Sequence, residues 1–495
     1  MKPNLPIQLF LLSLIASAAF GLIGVKIFED ASAVQKGKVL QAQTGIPQWP
    51  MAGHDNQRSS YAPEALPGHA NKPKWYKKID PYIPSKAHLV TYLGSGSRPD
   101  LVLVPSAKGV YALNANDGIQ FWFYATSMPV GHSPTIANDV VYISVHDKTI
   151  HAVNINNGTK IWQTDKAGAG FDTSPLVANN RVYAGNRDGY FYSFNTSNGT
   201  LSWYYKTGGP ISFSAAISAD NQIIYFASND GYAYGLNATS GTLVWKSQKL
   251  PGDGFYGFWP VINGAKVLYS GSNNFEKMEK IQHQEAFGSS PTDGELVGPV
   301  GADGYMDATR FTNYFKANPT KRTFFVLDRL NGAEDTNYAP ILWQGNWSGN
   351  RQPPVVGPNS IVYLQTIFKY NINFLQGRVA GWQMGTSKLK AYPNTSDTDA
   401  QDENAAISII GDVIYYNHKE DQYGKIMPLS GGSVGFWTLS TNLTNFPNYT
   451  SGWENRKYGN VSNNGFGTHG NVNPPVPLRD KVFFHISNSV VVFGQ

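Results

Sequence analysis

Tyr-Ala-Leu-Asn-Ala-Asn-Asp-Gly-Ile-Gln-Phe-Trp at 111–122 returns as His-Ala-Val-Asn-Ile-Asn-Asn-Gly-Thr-Lys-Ile-Trp at 151–162, Tyr-Ser-Phe-Asn-Thr-Ser-Asn-Gly-Thr-Leu-Ser-Trp at 192–203 and Tyr-Gly-Leu-Asn-Ala-Thr-Ser-Gly-Thr-Leu-Val-Trp at 234–245. The tryptophans stand 40, 41 and 42 residues apart, and Gly118, Gly158, Gly199 and Gly241 keep the same intervals. A fixed period of this length marks a structural repeat. Each unit reads as a small antiparallel sheet. Alternating runs such as 140–144 and 181–185 predict one strand, the run into Val153 or Phe194 predicts the next, and the tryptophan sits on the last. Asp117-Gly118, Asn157-Gly158 and Asn198-Gly199 supply residues that tolerate positive φ where the chain reverses. Ala112, Ala152, Ser193 and Gly235 are small, which predicts that an indole from a neighbouring unit lies flat against them.

A four-stranded sheet repeating every forty residues or so is the unit of a β-propeller. The pattern resembles the tryptophan-docking motif of the quinoprotein (pyrroloquinoline quinone-like) eight-bladed propeller repeat family, Ala-x-Asp-x-x-Thr-Gly-x-x-x-Trp. It departs from that motif with Asn114, Asn154, Asn195 and Asn237 in place of aspartate and with no threonine before the glycine. The opening Trp49-Pro50-Met51-Ala52-Gly53-His54-Asp55-Asn56-Gln57-Arg58-Ser59 also resembles the family's entry segment. The resemblance implies an all-β ring of eight blades over 49–495. A fifth unit ends at Val326-Leu327-Asp328-Arg329-Leu330-Asn331-Gly332, with Trp343 displaced, and weaker units fall near 353–392 and 404–440. The eighth, from Val476 to Phe493, stops before a tryptophan strand, which 72–76 can supply by closing the ring from the N-terminal side. An insertion from about 272 to 320 interrupts the fifth unit. It contains a helix-compatible stretch, 275–286, and is expected to cap one mouth of the ring.

The composition fits a globular, turn-rich protein. Charged residues are 15% of the 495, aromatics 13%, and there are 50 glycines and 30 prolines. The net charge of +5 is spread along the chain without runs of like charge, so nothing marks a nucleic-acid partner. Cysteine is absent, which excludes disulfides, thiolate metal sites, a catalytic thiol, covalently attached c-type haem and a lipidated cysteine anchor. Lys2 followed by an apolar run from 7 to 25 predicts an export segment over 1–33. Small-residue sites at 16–18 and 31–33 favour a cleaved signal peptide, while the length of the run suits a retained membrane anchor. A polar linker over 34–48 follows, and the protein is expected outside the cytoplasm: secreted, periplasmic or membrane-anchored.

Two familiar signatures carry little. Gly252-Asp253-Gly254-Phe255-Tyr256-Gly257 lies between strands, not between a strand and a helix, and Gly431-Gly432-Ser433-Val434-Gly435 lies in a turn. Asp397, Asp399, Asp402 and Glu403 have calcium-like spacing without an EF-hand glycine, and read first as a solvated loop. Glycosylation sequons begin at Asn157, Asn195, Asn198, Asn237, Asn346, Asn394, Asn442, Asn448 and Asn460.

The stronger candidates precede the innermost strand of each blade and face the axis: His132, Asp172, Thr173, Phe213, Trp259, Arg351, Gln352, Asn404 and His469. Resemblance to quinoprotein dehydrogenases implies Asp172 as general base and Arg351 on the quinone carbonyls. It implies Trp259 as a stacking floor, with His132, Thr173 and His469 beside the cofactor and Glu403 and Asn404 as calcium ligands. The structural reading of the same residues is channel lining and core packing. The absent cysteines depart from the alcohol-oxidising members, whose adjacent pair covers the quinone. Two functions follow: a non-catalytic exported propeller that binds an envelope or surface protein or a polymer, and a pyrroloquinoline quinone- and calcium-dependent alcohol or sugar dehydrogenase.

Overall fold

The computed structural model describes residues 45–67, 72–80, 83–84, 87–270, 305–307, 309–322, 324–337, 352–371, 374–391, 407–418, 423–428, 435–438, 473–486 and 489–494. They form eight antiparallel sheets in chain order, as the repeat predicts. Blades 1 to 4 occupy 90–125, 135–163, 176–206 and 216–246, four strands each. Blade 5 contributes three described strands within 261–328. Blade 6 covers 355–391, blade 7 407–438, and blade 8 476–494. Lys72–Lys78 pairs antiparallel with Ser489–Gly494 as the outermost strand of blade 8, so the two ends of the ring close on one sheet.

The tryptophans hold blade to blade. Trp122 donates from Nε1 to Ile155 O at 2.7 Å, Trp162 to Thr196 O at 2.8 Å and Trp245 to Arg329 O at 2.9 Å, each in the turn of the next blade. The closing strand repeats the device: Trp75 donates to Ala115 O at 3.0 Å. Each indole lies over the turn glycine of that neighbour. A Cβ on Gly118, Gly158, Gly199, Gly241 or Gly332 would stand 2.5–2.9 Å from Trp75, Trp122, Trp162, Trp203 or Trp245, respectively. Trp203 differs in one respect, because the Tyr183 hydroxyl occupies Ala238 O at 3.0 Å.

Glycine is therefore required twice at these turns, for its positive φ of about 71–73° and for the missing Cβ. This corrects the expectation for the small residues. Ala112, Ala152, Ser193 and Gly235 sit directly across from Trp122, Trp162, Trp203 and Trp245 of their own blades, and make room for those rings instead of a neighbour's.

The described part of the insertion also departs from expectation. Tyr305–Asp307 adds a fifth strand to the outer edge of blade 6, pairing with Lys388–Ala391. Helix α1, Thr309–Ala317, buries Phe315 in the core cluster shared by blades 4, 5 and 6. The stretch 275–286 and the export segment lie outside the described residues, among which no helix is long and apolar enough to cross a membrane.

The entry segment runs around the axis as a collar. Its backbone carbonyls accept from the innermost strands in turn: Pro47 from Arg479 N beside blade 8, Trp49 from Thr91 N of blade 1, and Pro50 from Ile136 N of blade 2. Asn56 bridges two blades, its Nδ2 donating to Val177 O of blade 3 at 3.4 Å and its own O accepting from Ile217 N of blade 4. Gln57, Ser59 and Ser60 then take Ile262 N, Val356 N and Ile409 N of blades 5, 6 and 7 at 2.9–3.1 Å. Innermost strands expose one unpaired edge to the axis, and the collar satisfies those donors. His54, Arg58 and Ser60 adopt positive φ to follow the curve. Tyr61–Ala62 finishes as a parallel strand on blade 7.

Candidate functional site

The segments leading into blades 3, 4 and 5 converge on the collar's Arg58. This guanidinium is fully buried and donates from Nε to Ala215 O at 2.9 Å, from Nη1 to Ala52 O at 2.5 Å and from Nη2 to Ser174 O at 3.5 Å. It lies 5.7 Å from the centroid of Trp259. Burial lowers its pKa and the charge of Asp55 opposes that shift. Asp55 is itself buried, which alone would raise its carboxyl. Its hydrogen bonds from His54 and Ser59, with the charge of His54, hold it below the ordinary value instead.

His88, just before blade 1, packs edge-on to Trp259 at 5.0 Å and stands 6.2 Å from His132. Neither ring nitrogen of His88 has a hydrogen-bond partner among the described residues. Burial pushes its pKa well down, and the neighbouring His132, His485 and Arg58 push the same way, so the folded protein keeps it neutral. His132 bonds Gly257 O through Nε2 at 3.1 Å and Ser133 Oγ through Nδ1 at 3.1 Å. On the far side, His485 Nδ1 meets the Asn473 amide at 2.5 Å, and Asn473 reaches Ala87 O at 3.3 Å.

Of the residues singled out in the sequence, the structure brings His132 and Trp259 together, with ring centroids 6.2 Å apart. Thr173 is buried and its hydroxyl donates to Gly185 O at 2.9 Å, a contact within its own blade. Asp172 belongs to a separate, partly exposed cluster. It meets His146 Nε2 at 2.5 Å and Arg187 Nε at 3.4 Å, two side chains from the turns of blades 2 and 3. Arg351, Glu403, Asn404 and His469 lie outside the described residues, as do the acidic positions 397–402.

The reading from sequence missed Arg58 and His88. His88 was within reach, because it lies in the segment leading into the innermost strand of blade 1, two residues before it, as His132 lies three residues before that of blade 2. Arg58 gave no comparable sign, since its role depends on how an irregular segment is threaded. Among the described residues no group of three or more His, Asp or Glu side chains is placed to hold a metal ion.

A flat quinone needs an open aromatic face and convergent polar groups. Trp259 is 1% exposed, with Arg58 over its ring and His88 packed edge-on against it. Gly53 presses on its Nε1, from which a Cβ there would be only 3.0 Å away. The described axial residues do not fit such a group.

A PQQ-repeat family model described as outer membrane protein assembly factor BamB matches residues 38–170 and 106–254. Among solved structures, the quinohemoprotein alcohol dehydrogenase ADHIIG from Pseudomonas putida HK5 superposes with a TM-score of 0.57 at 13% identity, covering 90% of this chain and 80% of that one. The quinohemoprotein alcohol dehydrogenase from Comamonas testosteroni gives 0.57 at 14% identity, over 94% and 83%. BamB from Moraxella catarrhalis gives 0.52 at 12% identity, over 86% of this chain and all of that one. At such identities the likeness is one of fold. No curated protein matches the sequence.

Proposed function

Because the chain belongs to the PQQ-like eight-bladed propeller repeat family, a family that accommodates both binding scaffolds and dehydrogenases, we propose that it is a non-catalytic binding propeller outside the cytoplasm. In this reading the apolar run at 7–25 directs export, 34–48 is a linker, and the ring presents its surface to an envelope or surface protein or to a polymer. The segment 1–33 either is removed or holds the ring to a membrane.

One observation carries the reading: the axis is closed on itself. The indole that would floor a cofactor site is covered by a buried arginine whose bonds go to backbone carbonyls of the ring and the collar. Opening that face would leave Ala52 O, Ala215 O and Ser174 O without a donor, at about 1–3 kcal/mol for each buried polar group left unmade. A scaffold gains rigidity from such an axis.

The test is a titration of the purified full-length protein with pyrroloquinoline quinone and calcium, followed by absorbance and by thermal unfolding, with Trp259→Phe alongside. The expected result is no saturable spectral change and no calcium-dependent rise in Tm. Saturable, calcium-dependent binding that Trp259→Phe weakens overturns the reading in favour of the dehydrogenase.

A further inference from the structure

The turns that dock the tryptophans also carry sequons, and the structure separates them. Asn157 and Asn198 occupy matching places at the exposed tips of blades 2 and 3. At Asn157 the side-chain Oδ1 accepts from Thr159 N at 3.0 Å and from Thr159 Oγ1 at 2.7 Å. Asn198 repeats this with Thr200 N at 3.1 Å and Thr200 Oγ1 at 2.8 Å. In both, the third residue of the sequon is folded back onto the carboxamide oxygen. The oxygen takes up both donors, so Nδ2 is left to face solvent with its two hydrogens. Bonding at Oδ1 also draws electron density through the carboxamide and makes those hydrogens more acidic.

The other two described sequons are built differently. Asn195 is half-buried. Its Nδ2 is spent on Thr200 Oγ1 at 2.7 Å, and its Oδ1 takes Arg181 Nη1 at 3.4 Å. Asn237 is half-buried too. Its Oδ1 accepts from Thr239 N, Ser240 N and Ser240 Oγ, so the hydroxyl it holds is not that of the sequon's Thr239. The sequons at 346, 394, 442, 448 and 460 lie outside the described residues.

We infer that Asn157 and Asn198 are N-glycan acceptors and that Asn195 and Asn237 are not. In the transfer, Nδ2 attacks the anomeric carbon of an oligosaccharide carried on a polyprenyl diphosphate. The Nδ2–C1 bond forms, the C1–O bond to the diphosphate breaks, and the lipid diphosphate leaves with the bonding pair. One Nδ2 proton passes to the transferase's base, and nothing is oxidised or reduced. The placement suits the surface. Ile161 and Leu201, 48% and 50% exposed, follow the acceptors by four and three residues, and a glycan there shields an apolar rim from water.

The inference rests on the proposed export of the chain, so the experiment carries two arms. The full chain is expressed in a glycosylating eukaryotic cell with its own N-terminal segment, and separately with a foreign cleavable leader. Secreted protein is treated with peptide-N-glycosidase in heavy-oxygen water, which marks each formerly glycosylated asparagine as a labelled aspartate, and is mapped by peptide mass; label found also in a portion incubated without the enzyme is subtracted, because Asn157-Gly158 and Asn198-Gly199 deamidate spontaneously. The label is expected at positions 157 and 198 and not at 195 or 237. Thr159→Ala and Thr200→Ala, which leave both asparagines in place, should each erase one site. Secreted protein that carries no label at 157 and 198, or as much at 195 and 237, overturns the inference. A chain that stays in the cytoplasm, unlabelled, with its own segment, while the foreign-led chain is secreted and labelled, overturns the export reading alone; a membrane-held chain labelled at 157 and 198 supports both readings.

Discussion

Replacing Gly199 by alanine brings two separable costs into one turn. The first is conformational: φ is +73° there, and an L-residue in the left-handed region loses about 1 kcal/mol. The second is steric. The new Cβ would stand 2.6 Å from Cε3 of Trp162, closer than two carbons can approach, so the indole must move. Overpacking of this kind costs about 1–3 kcal/mol, and a displaced ring also gives up its 2.8 Å bond to Thr196 O, worth about 1 kcal/mol. The sum is roughly 3–5 kcal/mol. Gly264→Ala is the control, because Gly264 has φ +57° and nothing within 4 Å of its would-be Cβ. It should lose about 1 kcal/mol, the conformational part only. Urea unfolding followed by circular dichroism reads both as shifts in midpoint. If the two substitutions cost the same, the indole is not clamped by the turn and the account of how blades are joined is wrong.

Two further predictions concern buried charge. His88 is held neutral in the folded state, so as pH falls below about 6.5 the unfolded chain takes up a proton that the folded one refuses, and stability drops by up to about 1.4 kcal/mol per pH unit. His88→Leu should flatten that acid limb while leaving stability at pH 8 equal or higher, and parallel acid limbs for the two proteins would refute the assignment. Arg322 and Glu334, with side chains 6% and 2% exposed, form an ion pair with one hydrogen bond, Nη2 to Oε2 at 2.9 Å, and Nη1 2.8 Å from Oε1. Arg322→Ala strands a buried carboxylate and should cost about 3–5 kcal/mol in urea unfolding, whereas Arg322→Met with Glu334→Leu should recover most of it; equal losses would show that the pair is not what holds this turn.

The ring was legible in the sequence because its information is periodic. Indole, turn glycine and asparagine recur at one spacing, and a missing last strand in the eighth unit pointed to 72–76 as its completion, which Lys72–Lys78 provides. The partner of each indole was harder to read. A small residue across the sheet and a glycine in the next blade leave the same trace in sequence, and only the pairing register separates them. The axis was less legible still. Asp172 gave no sign that His146 and Arg187, from turns 26 residues before and 15 after it, would claim its carboxylate. The collar's contacts run mostly through backbone carbonyls, which every residue owns, so side-chain identity says little about them.

The collar also bears on why the ring has eight blades. Fourteen residues, from Pro47 to Ser60, reach every blade in order, eighth to seventh. A chain of that length spans at most roughly 46–50 Å when extended, so it acts as a gauge cut to one circumference. A duplicated repeat would outrun it and leave an innermost strand with bare donors, while a lost repeat would force it to buckle. A gain or loss of one of these similar units is therefore penalised at the axis, far from the blades where the repeats themselves can be exchanged.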